Sequence, residues 1–97
     1  MSSPRMMMPA PRITFGDLRR ILEDLGFREV PSEESHVWFR HEEADLPLGF
    51  PRYRDEAVVA PHHLLYARTM IDARGILGED EFDRMVLATS ARPLAPR

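Results

Sequence analysis

Apolar side chains near the start of the chain recur at the spacing of one helix face, which predicts a first amphipathic helix. The stripe consists of Phe15, Leu18, Ile21, Leu22 and Leu25. Thr14 precedes it as a side-chain cap, and Asp17 follows three residues later, as in a capping box with a shorter acid. Gly26 comes directly after the stripe, and glycine favours the left-handed backbone that ends many helices. We therefore expect the helix to end at Gly26.

Three short segments that are rich in β-formers or alternate apolar residues follow this helix and predict strands. They are residues 27–30, 36–41 and 46–50. Pro47 cannot donate a ladder hydrogen bond, so we expect the third strand at an edge of the sheet. In the first strand Phe27 and Glu29 share a face while Val30 opposes them. This uneven pattern predicts a bulge or irregular pairing there.

The acidic turn at residues 42–45 sets the register of a hairpin between the second and third strands. A four-residue loop pairs His41 with Leu46 and brings one set of apolar residues onto the same face. This set is Val37, Phe39, Leu46, Leu48 and Phe50. A slip of one residue would divide the set, so we expect it to be buried in this register. The opposite, exposed face then carries His36, Trp38 and Arg40.

Two further helices are predicted in the second half of the chain. Pro61 suits the first position of a helix that ends at Gly75. Three acids in the first turn favour a third helix that starts near Glu79. Its inward face is predicted to contain Phe82, Met85, Val86 and Thr89. These side chains are too apolar for a free tail, and Leu65, opposite the apolar arc of the second helix, lacks a core partner. We therefore expect the C-terminal segment to be ordered and to cover otherwise exposed apolar surface.

Together these elements predict one α+β domain with the order α-β-β-β-α, a three-stranded antiparallel sheet and a short C-terminal helix. A length of 97 residues allows one domain. The start of the chain carries three prolines and a run of methionines, and its end carries two prolines. We expect a disordered tail at 1–12, the main domain at 13–77, a helical extension at 78–91 and a second disordered tail at 92–97.

Composition narrows the class of protein. Hydrophobic residues make up 43% of the chain and charged residues 30%, which is typical of a globular domain and not of a disordered chain. The chain has no cysteine, so it has no disulfide, thiolate nucleophile or thiolate metal site. The first residues lack the apolar run of a signal peptide, and no segment approaches the roughly 20 apolar residues that span a bilayer. We therefore expect a cytoplasmic protein with no membrane partner.

The net charge of −3, from 13 basic and 16 acidic residues, argues against nucleic-acid binding as the main role of the chain. All the basic residues are arginines, which suit phosphate contacts, although codon usage in a GC-rich genome is the simpler explanation. Arg40, Arg52 and Arg54 are candidates for holding phosphates, or else are plain surface arginines. Arg40 shares the strand face of His36, so we expect both to reach one phosphodiester.

Trp38 and the pair His62-His63 are further candidates. Trp38 can stack on a base, anchor a protein partner or lie buried under the C-terminal extension, and the sequence leaves these alternatives open. Adjacent helical residues such as His62 and His63 point about 100° apart, whereas helical metal sites use i,i+3 or i,i+4 spacing. We therefore predict no metal site and no cofactor, with partial packing for His63 and solvent exposure for His62.

Four short motifs occur along the chain in a familiar order and spacing. They are Leu25-Gly26-Phe27, Ser35-His36-Val37-Trp38-Phe39-Arg40-His41, Phe50-Pro51-Arg52 and Arg74-Gly75-Ile76. Over residues 14–77 this pattern resembles the HicA family of toxin–antitoxin systems. That family commonly shows Gly-Ser-His before an aromatic residue and Arg-His, then Pro-Arg-His, then a helix closing on Ala-Gly-Ile.

The resemblance implies a fold similar to a double-stranded-RNA-binding domain, with both helices on one side of the sheet. It also implies a toxin that is an endoribonuclease and cleaves mRNA, with a single catalytic histidine on the middle strand, the position of His36. A histidine can take a proton from a ribose 2′-hydroxyl, so that this oxygen attacks the neighbouring phosphate without a metal ion. The partner implied by the family is a HicB-like antitoxin that covers the active face.

The chain departs from the family pattern at three places. Glu34 stands where the family usually has glycine, Tyr53 replaces the histidine of Pro-Arg-His, and residues 78–91 continue past the usual end. These departures support an alternative hypothesis. The chain would then be a catalytically silent relative that acts as a small protein-binding module or as a homodimer through the sheet face.

Overall fold

Three helices and three strands follow one another in a computed structural model that describes residues 12–31 and 35–90. The helices are α1 (Phe15–Asp24), α2 (Pro61–Ala73) and α3 (Glu79–Ser90), and the strands are β1 (Phe27–Val30), β2 (His36–His41) and β3 (Leu46–Pro51). The order α-β-β-β-α-α confirms the predicted α+β class. The two predicted tails, apart from Arg12, lie outside the described residues, as does Glu34.

The ends of α1 are set by the residues that the sequence indicates. Thr14 Oγ1 accepts a hydrogen bond from the Asp17 backbone N–H at 3.1 Å, and an Asp17 carboxylate oxygen accepts one from the Thr14 N–H at 3.1 Å. This capping box satisfies two N–H groups that have no partner within the helix. Gly26 follows the last turn with a φ of 103°, which lies in the region that favours glycine.

The sheet has the strand order β1-β2-β3, and both neighbouring pairs are antiparallel. The predicted hairpin register is confirmed by the observed partners, which are Val37 with Phe50, Phe39 with Leu48 and His41 with Leu46. The predicted edge position of β3 is confirmed as well. One face of the sheet packs against the three helices in a single apolar core, and the other face is left open.

The prediction of a bulge or irregular pairing in β1 is wrong. Phe27 pairs with His41 and Val30 with Trp38 in one continuous register. Glu29 therefore points to the helix side, where its carboxylate lies 3.4 Å from Nε of Arg19 on α1 and keeps 42% of its side-chain surface exposed. This ion pair at the margin of the sheet lets a charged residue occupy an inward position, so the strand needs no bulge.

The C-terminal helix belongs to the same core as the rest of the domain. Phe82 and Val86 of α3 are 1% and 3% exposed, and they join the buried residues of α1 and the sheet. The predicted order of this segment is thus confirmed. Leu65, however, stays 55% exposed, so α3 does not supply the partner that the sequence suggested for it. The buried side of α2 carries Ala67 and Ile71, and Leu65 points away from that side.

An arginine joins the two C-terminal helices on their outer side. Arg68 of α2 donates two hydrogen bonds to the carboxylate of Asp83 on α3, at 2.9 and 3.0 Å, and lies 3.6 Å from Glu79. Such a bidentate pair fixes the relative orientation of the two helices. Within the described part of the chain, no helix is long and apolar enough to cross a membrane.

Candidate functional site

The outer face of the sheet, defined as the side turned away from the helices, presents alternate residues of each strand. These residues are Arg28, Val30, His36, Trp38, Arg40, Pro47, Gly49 and Pro51. All are exposed except Val30 and Gly49, which are half-buried. Three of the five residues predicted for the site therefore lie on one accessible surface, and the other two lie in the loop that follows β3.

Trp38 occupies the middle of the outer face and remains open to solvent. The residue is 38% exposed, because α3 packs with the other helices on the opposite side of the sheet. The alternative that Trp38 is buried under the C-terminal extension is therefore wrong. The two remaining alternatives, a stacked base and a protein partner, both require the accessible ring that the fold provides.

His36 and Arg52 meet at one corner of the sheet. His36 begins β2 with its side chain exposed, and its Nδ1 lies 3.1 Å from the hydroxyl oxygen of Ser35. The Arg52 guanidinium donates a hydrogen bond to the backbone carbonyl of His36 at 3.1 Å, and the Arg52 backbone N–H donates to the Ser35 carbonyl at 3.2 Å. These bonds hold an imidazole and a guanidinium beside each other at the surface.

Arg40 lies at the other end of β2 and is separated from this corner. Four residues along a strand correspond to about 13 Å, and Trp38 lies between the two side chains. The Arg40 guanidinium is hydrogen-bonded to the carboxylate of Asp45, in the turn that follows β2. The structure therefore does not bring His36 and Arg40 together at one phosphodiester, and the positive charge of Arg40 is balanced locally.

The loop after β3 carries Arg54, which is exposed and lies two residues beyond Arg52. Between them Tyr53 turns inward, where its ring stacks on Phe15 with centroids 5.1 Å apart and planes 19° apart. The Tyr53 hydroxyl accepts a hydrogen bond from the Ala60 N–H at 2.8 Å, and its oxygen lies within hydrogen-bond distance, 2.7 Å, of Nδ1 of His63. Tyr53 thus anchors the start of α2 and has a structural role.

The two adjacent histidines at the start of α2 differ in their surroundings. His63 is half-buried against Phe50 and Tyr53, whereas His62 is exposed, as predicted. Burial lowers the pKa of His63, and the nearby His62 lowers it further. Across residues 12–31 and 35–90, no group of three histidine, aspartate or glutamate side chains could hold a metal ion.

The environment of His63 predicts that the domain loses stability in mild acid. Its pKa in the folded state lies below the ordinary value of about 6.5, so the unfolded chain binds the proton more readily. The free energy of unfolding should therefore fall as the pH drops from about 7.5 to about 5.5. Chemical denaturation at both pH values measures this change.

The matched variant for this measurement is His63→Asn, whose side-chain oxygen can accept the Tyr53 hydroxyl without taking up a proton. We expect this variant to lose much of the difference between the two pH values. His62→Asn should retain most of it, because burial of His63 is the larger cause of its lowered pKa. An unchanged pH dependence in His63→Asn would contradict the assignment.

Sequence reasoning missed a cluster at the opposite end of the sheet, formed by His41 and Arg74. His41 Nε2 lies 3.1 Å from the Leu25 carbonyl, and its Nδ1 accepts a hydrogen bond from the Ala44 N–H at 3.1 Å. Arg74 donates to the carbonyls of Ala44 and Asp45 at 2.6 and 3.0 Å. The signal for His41 was its place on the buried side of β2, where a polar side chain needs partners.

A cavity of about 380 Å³ opens beside this cluster. It is lined by Leu25, His41, Glu43, Ala44, Arg74, Gly75 and Ile76. The polar atoms of His41 and Arg74 are already bonded to backbone groups of two turns. These residues therefore tie the β2–β3 turn to the ends of α1 and α2, and we assign them to the scaffold that holds the outer face.

The described residues form an α+β domain whose sheet is covered by helices on one side and offers an exposed histidine, arginine and tryptophan on the other. No protein-family model, no curated protein and no solved structure matches the chain.

Proposed function

We propose that the chain is a HicA-like toxin, a cytoplasmic endoribonuclease that cleaves mRNA without a metal ion and uses His36 as its single catalytic histidine. One observation carries the proposal. The exposed imidazole of His36 lies at a corner of the open sheet, and the guanidinium of Arg52 is hydrogen-bonded to the backbone carbonyl of His36. The order of elements and the placement of all helices on one side also agree with the fold that the resemblance implies.

The chemistry follows from the two groups. In the tautomer whose Nδ1–H donates to Ser35, Nε2 of His36 carries the lone pair that accepts the proton of a ribose 2′-hydroxyl. The 2′-oxygen then forms a bond to phosphorus, the bond to the 5′-oxygen breaks, and that oxygen takes up a proton from solvent. Arg52 would stabilise the charge on the phosphate oxygens during this step, with Arg54 as a second phosphate contact.

The proposed reaction makes a specific set of products. Wild-type protein incubated with RNA should leave fragments that end in a 2′,3′-cyclic phosphate and begin with a 5′-hydroxyl, and a chelator should not prevent cleavage. Induced expression should inhibit growth, and a HicB-like antitoxin that binds the outer face should relieve the inhibition. Failure of the purified protein to cleave any RNA would refute the proposed activity.

Three observations favour a second candidate function, a silent protein-binding module or homodimer that uses the outer face. The charge of Arg40 is balanced by Asp45, and the net charge of the chain is −3. The outer face also carries apolar residues beside Trp38. They are Val30 on β1, and Pro47 and Pro51 on β3. A wild-type protein that is harmless, cleaves no RNA and associates through this face would support this candidate.

Two of the arginines on or beside the outer face, Arg52 and Arg40, should differ in their effect on cleavage. Arg52→Ala removes a guanidinium beside His36, and we expect kcat/KM for RNA cleavage to fall about 10- to 100-fold, as for a lost charge-assisted hydrogen bond. Arg40→Ala is the matched control, because Asp45 already balances its charge, and the loss should stay below about fivefold. Equal losses in the two variants would contradict the placement of the phosphate at the His36 corner.

A further inference from the structure

The ring of Trp38 lies flat across a glycine of the neighbouring strand. Gly49 is the partner of Trp38 in the β2–β3 ladder. A Cβ atom added to Gly49 would lie 2.6, 2.7 and 2.8 Å from Cη2, Cζ3 and Cζ2 of the indole. If the added carbon approached the edge of the ring at Cη2, its distances to Cζ3 and Cζ2 would be clearly longer than its distance to Cη2. Because the three distances are similar, the added carbon lies over the ring face. Gly49 therefore lets the indole rest on the backbone of β3.

With one ring face against Gly49, Trp38 still keeps 38% of its surface exposed among the described residues. All five phenylalanines of the chain are at most 3% exposed, whereas Trp38 is 38% exposed. The Trp38 ring is therefore not part of the apolar core. A flat aromatic ring that is supported on one face and accessible to solvent is what a base needs for stacking.

Basic side chains lie on both sides of this surface along the sheet. The His36 ring centroid is 6.5 Å from that of Trp38, and Arg52 is bonded to His36. Toward the other end of β2, Arg28 of β1 is the ladder partner of Arg40. Arg40 pairs with Asp45, whereas Arg28 makes no ion pair with a described residue. Phosphates on either side of a stacked base would find a cation at each end.

We propose that Trp38, held flat by Gly49, is a stacking subsite for one unpaired base of an RNA strand, next to the phosphodiester that His36 attacks. The position of the cleaved bond rests on the proposed function, but the stacking subsite does not require cleavage. Gly49 is a positioning residue that acts through Trp38. A duplex cannot use the subsite, because its bases are stacked on one another and offer no free face to the ring.

Binding is measured with a 2′-O-methyl RNA strand of about eight nucleotides, which has no 2′-hydroxyl proton and cannot be cleaved by the proposed reaction. Trp38 is the only tryptophan of the chain, so quenching of its fluorescence reports directly on the ring. The single strand should quench it, and the same strand annealed to its complement should not. Anisotropy of a labelled strand gives Kd for variants that lack tryptophan.

The variants separate the ring from its support. Trp38→Ala should weaken single-strand binding about 5- to 150-fold, and Trp38→Phe should restore most of the affinity because it keeps an aromatic face. Gly49→Ala should also weaken binding, since the added carbon displaces the ring, but it should have no further effect in a Trp38→Ala background. Leu65→Ala removes another exposed apolar side chain, outside the sheet, and should bind as the wild type does.

The outcomes distinguish this inference from the proposed function. If Trp38→Ala binds the single strand as tightly as the wild type, or if duplex quenches Trp38 equally, the stacking subsite is refuted even where RNA cleavage is observed. If the wild type binds and is quenched but never cleaves RNA, the subsite stands and the nuclease proposal fails. Quenching that depends on protein concentration alone, together with a dimer mass, would assign the ring to a protein contact and overturn the inference.

Discussion

Replacing His36 by alanine should abolish the proposed RNA cleavage, with a rate loss of about 10²- to 10⁴-fold, the range that a general base contributes. Growth inhibition on induced expression should disappear with it. The fold should survive, because His36 is an exposed strand residue and such substitutions change the free energy of unfolding by about 0.5 kcal/mol or less. The backbone carbonyl that accepts the Arg52 guanidinium is retained, so Arg52 should keep its position.

The control for this variant is His62→Ala, which removes an exposed histidine at the start of α2, away from the outer face. It should cleave RNA at the wild-type rate. Cleavage and toxicity that persist in His36→Ala would show that the general base is another residue. Circular dichroism and thermal melting of each variant establish that any lost activity is not lost folding.

Replacing Phe82 by alanine should strongly destabilise the whole domain. The side chain is 1% exposed in the core shared by α3 and the sheet. Removing a buried phenylalanine costs about 3–5 kcal/mol, from the lost transfer free energy and the cavity left behind. The total free energy of unfolding of a small domain is only about 5–15 kcal/mol, so a large fraction of the molecules should be unfolded at elevated temperature or in low denaturant.

Leu87→Ala is the matched control for Phe82→Ala, because it changes an apolar residue of the same helix that is 54% exposed. Its effect on the free energy of unfolding should stay within about 0.5 kcal/mol. A chain that ends at Leu77 removes Val86 together with Phe82 and should unfold or associate. If Phe82→Ala melts as Leu87→Ala does, or if the shortened chain is a monomer of unchanged stability, α3 is not part of the core.

The candidate site was predictable only in part. Alternation along β2 predicted that His36 and Trp38 share one face. The four-residue turn between β2 and β3 set the register that brings the end of β3, and so Arg52, close to His36. The local pairing of Arg40 with Asp45 was not predictable, because Asp45 has a left-handed φ of 53° that directs the turn. Glu29 was misjudged for a similar reason, since its partner Arg19 comes from a different element.

The sequence by itself determined the elements of the domain and the hairpin register. Helical periodicity, the capping box at Thr14 and a turn of fixed length act between residues close in the chain, so their signals are contained in short segments. Only the tertiary structure decided which side chains from distant segments meet. It laid Trp38 over Gly49, stacked Tyr53 on Phe15 and left Leu65 exposed. These contacts depend on the packing directions of whole elements, which no local pattern specifies.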